Sequence, residues 1–259
     1  MESKSGKIIT ITSMKGGVGK TTTTMLLADI FVKCGKKVVV LDLDLYNGNL
    51  AFAYNVKVKS SIYNLCDDMA NNRLTDGISS EYVSKISDNL YLISAPKDPR
   101  QANKIDNKYL NNILKSLSYL YDIVLIDTNH ILNVSNMIAF ENSYKIIDVV
   151  TNDSFDLQST KSFVAICKNM GVDNLVLLLN NAIDTRKNYY TTYDIKNITK
   201  KNIDYTIPSS LYIKNFDQLV IDGKLSDFDE NLKGEAKKSL EDFAYHMLGL
   251  VDDKDGGNR

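Results

Sequence analysis

Short unbroken apolar runs alternate along the chain with longer stretches in which apolar residues recur at helical spacing. The runs are Lys7-Ile-Ile-Thr-Ile-Thr12, Val38-Val-Val-Leu-Asp-Leu43, Leu90-Tyr-Leu-Ile93, Ile123-Val-Leu-Ile126, Ile146-Ile-Asp-Val-Val150, Leu175-Val-Leu-Leu-Leu179 and Asp204-Tyr-Thr-Ile-Pro208. A strand with one wet face alternates apolar and polar residues, whereas continuous hydrophobicity is what a parallel strand covered on both faces requires. From Lys20 to Cys34, Leu26, Leu27, Ile30 and Phe31 fall at helical spacing, and Gly35 stands where a helix ends. Strand and helix in alternation predict an α/β fold: a doubly wound, mostly parallel sheet with helices on both faces and its ligand at the carboxyl ends of the strands. Near the C-terminus, Ala236, Leu240, Phe243, Ala244, Met247 and Leu248 form one stripe over residues 235–248. Lys237 and Lys238 mix with Glu235, Glu241 and Asp242 on the rest of that helix, so it is expected to cover the core rather than lie on an anionic membrane.

Between the first strand and the first helix stands Ser13-Met-Lys15-Gly16-Gly17-Val18-Gly19-Lys20-Thr21-Thr22. Glycines there permit backbone conformations closed to other residues, so that N–H groups converge on phosphate oxygens while the helix start adds its positive dipole end. This is the phosphate loop of a nucleotide triphosphate site. Lys20 is expected to reach the β- and γ-phosphates, and the Thr21 hydroxyl to face Mg²⁺. Lys15, ahead of the first loop glycine, places a second lysine near the phosphates and makes this the deviant form of the Walker A loop.

Three carboxylates stand at strand ends on the ligand edge. In Leu41-Asp42-Leu43-Asp44-Leu45 the period of two puts both acids on one face and the leucines on the other. A nucleotide hydrolase needs one carboxylate for the attacking water and another for the magnesium shell. We assign Asp44 to the water and Asp42 to the metal. Asp127, closing Tyr121-Asp-Ile-Val-Leu-Ile-Asp127, is the second expected metal residue.

Composition narrows the alternatives. The chain has 259 residues, 44% hydrophobic and 24% charged, enough to bury the core of one domain, which we place at residues 1–251 with a flexible polar tail at 252–259. Basic and acidic residues number 31 and 32, so bulk charge neither favours nor opposes a polyanionic partner. Cys34, Cys66 and Cys167 are widely separated and His130 and His246 isolated, which predicts reduced, buried thiols and no metal centre built on them. The N-terminus runs straight into the first strand and no apolar span reaches transmembrane length, from which a cytoplasmic protein without a signal peptide is expected.

The Lys15-Gly-Gly-Val-Gly-Lys-Thr21 loop, the Asp42/Asp44 strand and the Asp127 strand together resemble the ParA/MinD group of deviant P-loop ATPases, over almost the whole chain. Within it, Asp42-Leu-Asp-Leu-Tyr-Asn-Gly-Asn-Leu-Ala-Phe52, Ser61-Ile-Tyr-Asn-Leu65 and Ser94-Ala-Pro-Lys-Asp-Pro-Arg-Gln-Ala102 are similar to the CpaE/TadZ branch, which localises pilus or secretion machinery. The resemblance implies ATP and Mg²⁺ as ligands, and a homodimer closed across the nucleotide face. It further implies slow, partner-stimulated hydrolysis, and recruitment by a protein partner to a cell pole or the inner membrane without direct membrane insertion. It makes Lys15 the lysine that reaches the partner subunit's nucleotide in trans, Asn180 the amide that reads the adenine edge, and Pro208 a residue near the base.

Two other outcomes stay open on the sequence. A DNA-partition ATPase would bind nonspecific DNA through Arg186, Lys187, Lys196, Lys200 and Lys201, diluted here by Asp184, Asp194 and Asp204. A scaffold that binds nucleotide without hydrolysing it is motivated by a departure: Thr128-Asn129-His130 follow Asp127, where the family usually carries a proline two residues on. The branch's N-terminal receiver-like domain is not expected here. Tyr189, Tyr190 and Tyr193 lie away from the chain's end, unlike a tyrosine-kinase cluster, and the cysteines are misplaced for an iron–sulfur reductase.

Overall fold

The computed structural model describes residues 5–74, 77–182, 189–211, 218 and 235–249. In chain order the elements are β1 (Lys7–Thr12), α1 (Lys20–Lys33), β2 (Val38–Leu43), α2 (Leu50–Ala53), α3 (Ile62–Ala70), β3 (Ser84–Ser87) and β4 (Leu90–Ile93). There follow α4 (Leu110–Leu120), β5 (Ile123–Thr128), α5 (Val134–Glu141), β6 (Lys145–Val150), α6 (Ser154–Asn169), β7 (Leu175–Asn180), α7 (Thr192–Thr199), β8 (Tyr205–Ile207) and α8 (Glu235–Met247).

One sheet runs β3-β4-β2-β5-β1-β6-β7-β8. Every neighbouring pair is parallel except β3 and β4. The seven apolar runs are seven of these strands. β3, Ser-Lys-Ile-Ser, escaped the reading because its half-exposed edge carries only one apolar residue.

Strand periodicity divides the core cleanly. Ile9, Ile11, Val38, Val40, Ile147 and Val149 point to the face covered by α1 and α8, where Phe31, Leu240, Phe243, Ala244 and Met247 are buried with them. The alternate residues Ile8, Val39, Leu41, Val124 and Ile126 meet α3 and α4, while Ile146, Val150, Leu177 and Leu179 meet α6 and α7. Thus α8 spends its apolar stripe on the core. Among the described residues no helix is long and apolar enough to cross a membrane. Cys34 is half-buried, Cys66 and Cys167 are buried, and all three are free; burial pushes the Cys66 thiol up to about 12 and that of Cys167 to about 11. The stretch 183–188, which holds Arg186 and Lys187, and the tail 252–259 lie outside the described residues.

Candidate functional site

β1 sits between β5 and β6, so the loop that leaves it opens at the carboxyl edge where neighbouring chain segments diverge, the crevice in which doubly wound sheets bind ligands. Gly17 and Gly19 take φ of 74° and 98°, a left-handed conformation that strains any residue with a side chain, and Gly19 is the N-cap of α1. No side chain caps that helix, leaving its first N–H groups for an anion. The Ser13 hydroxyl bridges the Lys15 backbone, 3.0 Å from its nitrogen and 2.9 Å from its carbonyl oxygen. On the far side, Asn180 Nδ2 donates to the Val18 carbonyl at 2.9 Å, and the Asn180 Oδ1 accepts from Ala182 N at 3.0 Å. Asn180 therefore braces the phosphate loop; one remaining N–H and its free lone pairs are what it has for a base. Pro208 follows β8, in which Ile207 pairs in register with Asn180, so the two expected base-side residues lie at the same edge of the sheet.

Lys20 is only 9% exposed. Burial lowers its pKa, opposed by the negative charges of Asp127, Asp44, Asp148 and Asp156. Its Nζ stands 3.5 Å from the Lys15 carbonyl, a long contact that a phosphate oxygen would readily replace. Thr21 Oγ1 donates to Asp127 Oδ2 at 2.7 Å, and Thr24 Oγ1 lies 3.4 Å from the other oxygen. Thr22 is half-buried on the same first turn.

Asp42 and Asp127 are direct partners in the β2–β5 register, both almost fully buried. Desolvation raises both carboxyls, Asp127 to about 6; the Asp127 charge further disfavours ionisation of Asp42, and the Asp44 charge that of Asp127. Asp42 Oδ1 accepts from Asp44 N at 3.1 Å and its Oδ2 from Leu50 N at 3.3 Å. Leu41, Leu43 and Leu45 share one core cluster on the opposite face. Asp44 lies just past β2, half-buried, with Oδ1 3.3 Å from Asn47 N. Among the described residues no three His, Cys, Asp or Glu side chains converge on a cation by themselves. Two desolvated carboxylates and a hydroxyl nonetheless fit Mg²⁺ of the kind that completes its shell with phosphate oxygens and water.

The turn after β5 is built without proline. Thr128 Oγ1 donates to the Ile11 carbonyl at 2.9 Å, while Asn129 Oδ1 accepts from Ile131 N at 2.9 Å and Asn136 Nδ2 at 3.0 Å. Asn133 then caps α5. A side chain added at Gly16 would stand 3.8 Å from the His130 ring, so this turn borders the phosphate loop.

Sequence reasoning missed Asp153. Its carboxylate caps α6, accepting from Phe155 N and Asp156 N, and lies 3.0 Å from Lys15 Nζ, which holds the acid below the usual carboxylate range. An N-cap signal was legible in Asp153-Ser-Phe; its pairing with Lys15 needed β6 beside β1. Also unforeseen was Asp148, fully buried on β6 beside Thr12, with no hydrogen-bond partner at either oxygen among the described residues.

Fold and site together define a P-loop nucleotide-binding domain with a second lysine ahead of its first loop glycine. Residues 6–181 match the AAA_31 family model, described as an AAA domain, and the chain belongs to that family. An uncharacterized ATP-binding protein of Methanocaldococcus jannaschii is 31% identical over 151 residues, 58% of this chain and 55% of the relative, so the match spans about half of that relative's length. Two solved structures share the fold across nearly the whole chain. The septum site-determining protein MinD complexed with Mg-ADP from Pyrococcus horikoshii gives a TM-score of 0.76 at 21% identity, covering 95% of this chain and 97% of its own. A ParA family ATPase from Chlorobium tepidum gives 0.80 at 19% identity, covering 94% and 99%.

Proposed function

We propose that this chain is an ATP- and Mg²⁺-dependent dimerisation switch that hydrolyses ATP slowly and so positions a protein assembly. The observation that carries it is the convergence of Lys15, Lys20, Thr21, Asp44 and Asp127 on one loop at the sheet's carboxyl edge. Thr21 and Asp127, with Asp42 behind, would hold Mg²⁺, which supplies charge neutralisation on phosphate oxygens. Gly16, Gly17, Val18, Gly19 and Thr22 offer backbone N–H groups to the phosphates. Lys20 supplies a desolvated cation inside the site, and Asp44, the accessible acid, orients the attacking water. Asn180 and Pro208 bound the base.

Lys15 stands apart at the rim, 41% exposed at its side chain, where it can cross to a second subunit. In keeping with a closed dimer on this face, Phe155 next to the Asp153–Asp156 cap is 81% and Ile131 next to His130 is 56% exposed, apolar side chains a second subunit would cover. The CpaE/TadZ-like segments favour pilus or secretion machinery as the cargo, with a protein partner recruiting the chain to its place. Two measurements test the reading. Phosphate release should fall to background in Asp44→Ala, and light scattering should give a doubled mass with Mg²⁺ and ATP. Equal release from both proteins would leave a nucleotide-binding scaffold, and ATP-dependent, salt-sensitive shifting of unrelated duplex DNA would favour partition.

A further inference from the structure

On the other side of Asp42 from the phosphate loop lies a cavity of about 520 Å³, between the 48–58 segment and the 94–97 segment that follows β4. Its size is that of a ligand pocket. Its lining combines apolar surface, including Phe52, Val56 and Pro96, with Lys57 and Lys97. Phe52 is 64% exposed on α2, an aromatic ring left to solvent. Neither lysine has an ion-pair or hydrogen-bond partner among the described residues, and the nearby Asp98 is taken up by Arg100. Ser94, 4% exposed, lines the cavity with a buried hydroxyl that has no hydrogen-bond partner among the described residues. Asp42 is the acid among the lining residues, and both its oxygens are engaged by backbone N–H groups. The lysines therefore set the sign of the charge.

We infer that this cavity is the docking site for a segment of a partner protein that presents a carboxylate side chain to Lys57 and Lys97 and an apolar side chain to Phe52. Charge complementarity selects the carboxylate, and the apolar wall selects a peptide over a bare anion. The inference rests on the switch reading above and adds to it the place where a partner acts.

Position gives that partner leverage. Gly48 has no room for even a methyl group, which would collide with the Ala95 side chain and stand 2.7 Å from Asp42 Oδ2. The segment from Asp44 to Leu50 is thus clamped between the cavity wall and the Asp42 carboxylate, which holds it at both ends through Asp44 N and Leu50 N. An occupant bearing on Ala95 and the 48–58 segment changes where Asp44 rests, and hence the rate of hydrolysis.

A random-peptide display library selected against the full chain with Mg²⁺ and ATP tests this. Acidic residues beside aromatic or aliphatic ones should be enriched, and a synthetic peptide from the selection should change phosphate release several-fold. Lys57→Glu/Lys97→Glu should weaken that peptide about tenfold or more while leaving nucleotide affinity unchanged. Failure to select any peptide, selection without acidic enrichment, or equal binding to the double variant overturns the proposal. So does binding of a labelled duplex oligonucleotide that the double variant loses instead. If the chain proves unable to hydrolyse ATP yet peptide binding still depends on the two lysines, the docking site stands and the switch reading falls.

Discussion

Lys15 Nζ lies 3.0 Å from Asp153 Oδ1 within a single subunit, so the lysine assigned to act across a dimer is engaged at home. Both side chains are partly exposed, and such pairs are worth roughly 0.2–1 kcal/mol. The pair is a weak latch that triphosphate can displace. Asp153→Asn retains an N-cap for α6 while removing the charge, and should lower the ATP concentration for half-dimerisation by about 1.4- to fivefold, the range those energies allow. Lys15→Ala should impair dimerisation far more than nucleotide binding. Light scattering across an ATP titration checks both, and a normally dimerising Lys15→Ala would remove the trans role.

Lys20→Ala should abolish nucleotide binding without unfolding the protein. The ammonium is buried, its pKa lowered by desolvation, and its hydrogen bond to the Lys15 carbonyl is long. Removing it relieves a desolvated charge, so calorimetry with ATP and Mg²⁺ should show no heat while the melting temperature holds or rises.

Asp44→Ala should trap the ATP-bound dimer at little cost to the fold. Its side chain accepts one long bond from Asn47 N, worth about 1 kcal/mol or less. Dimer lifetime after ATP is diluted should lengthen, and urea midpoints should barely move.

Asp148→Asn should stabilise the fold, increasingly so as pH rises. Desolvation first, then the Asp156 charge, raises the Asp148 carboxyl well above the ordinary range, with Lys20 opposing. The folded chain consequently keeps this proton to a higher pH than the unfolded chain, whose carboxyl titrates near 3.9. Wild-type stability therefore falls as pH climbs above that unfolded value and goes on falling until the folded carboxyl ionises. The variant lacks this slope. Urea unfolding should show the two proteins closest near pH 4 and Asp148→Asn increasingly ahead as pH rises towards 7; a lead that shrank with pH would contradict the account.

How far the sequence carried depended on whether a feature is local. Seven strands were readable because a buried parallel strand must be apolar at consecutive positions, and Lys20 and Thr21 because a phosphate loop fixes their spacing. Asp127 was readable as a polar residue closing such a run. β3 was not, since its pairing with β4 rather than its composition makes it a strand. The Lys15–Asp153 pair was hidden because it depends on β6 lying beside β1. Asn180 ends the apolar run that reads as β7, but its bond to Val18 brings together residues far apart in the chain. The turn after Asp127, whose missing proline raised doubt, is rebuilt from Asn129, Asn133 and Asn136, a solution that only spacing in three dimensions discloses.

Thr128 ties the end of β5 to the Ile11 carbonyl, and Asn133 starts α5 four residues beyond Asn129. Between those two anchors the Ile131 N–H is held by Asn129 Oδ1 and its carbonyl by Asn133 N and Asn136 Nδ2, with His130 bordering Gly16. Where it borders the phosphate loop, the stretch from His130 to Leu132 is thus a shoulder stiffened by asparagine amides, which do what the family usually leaves to a proline ring.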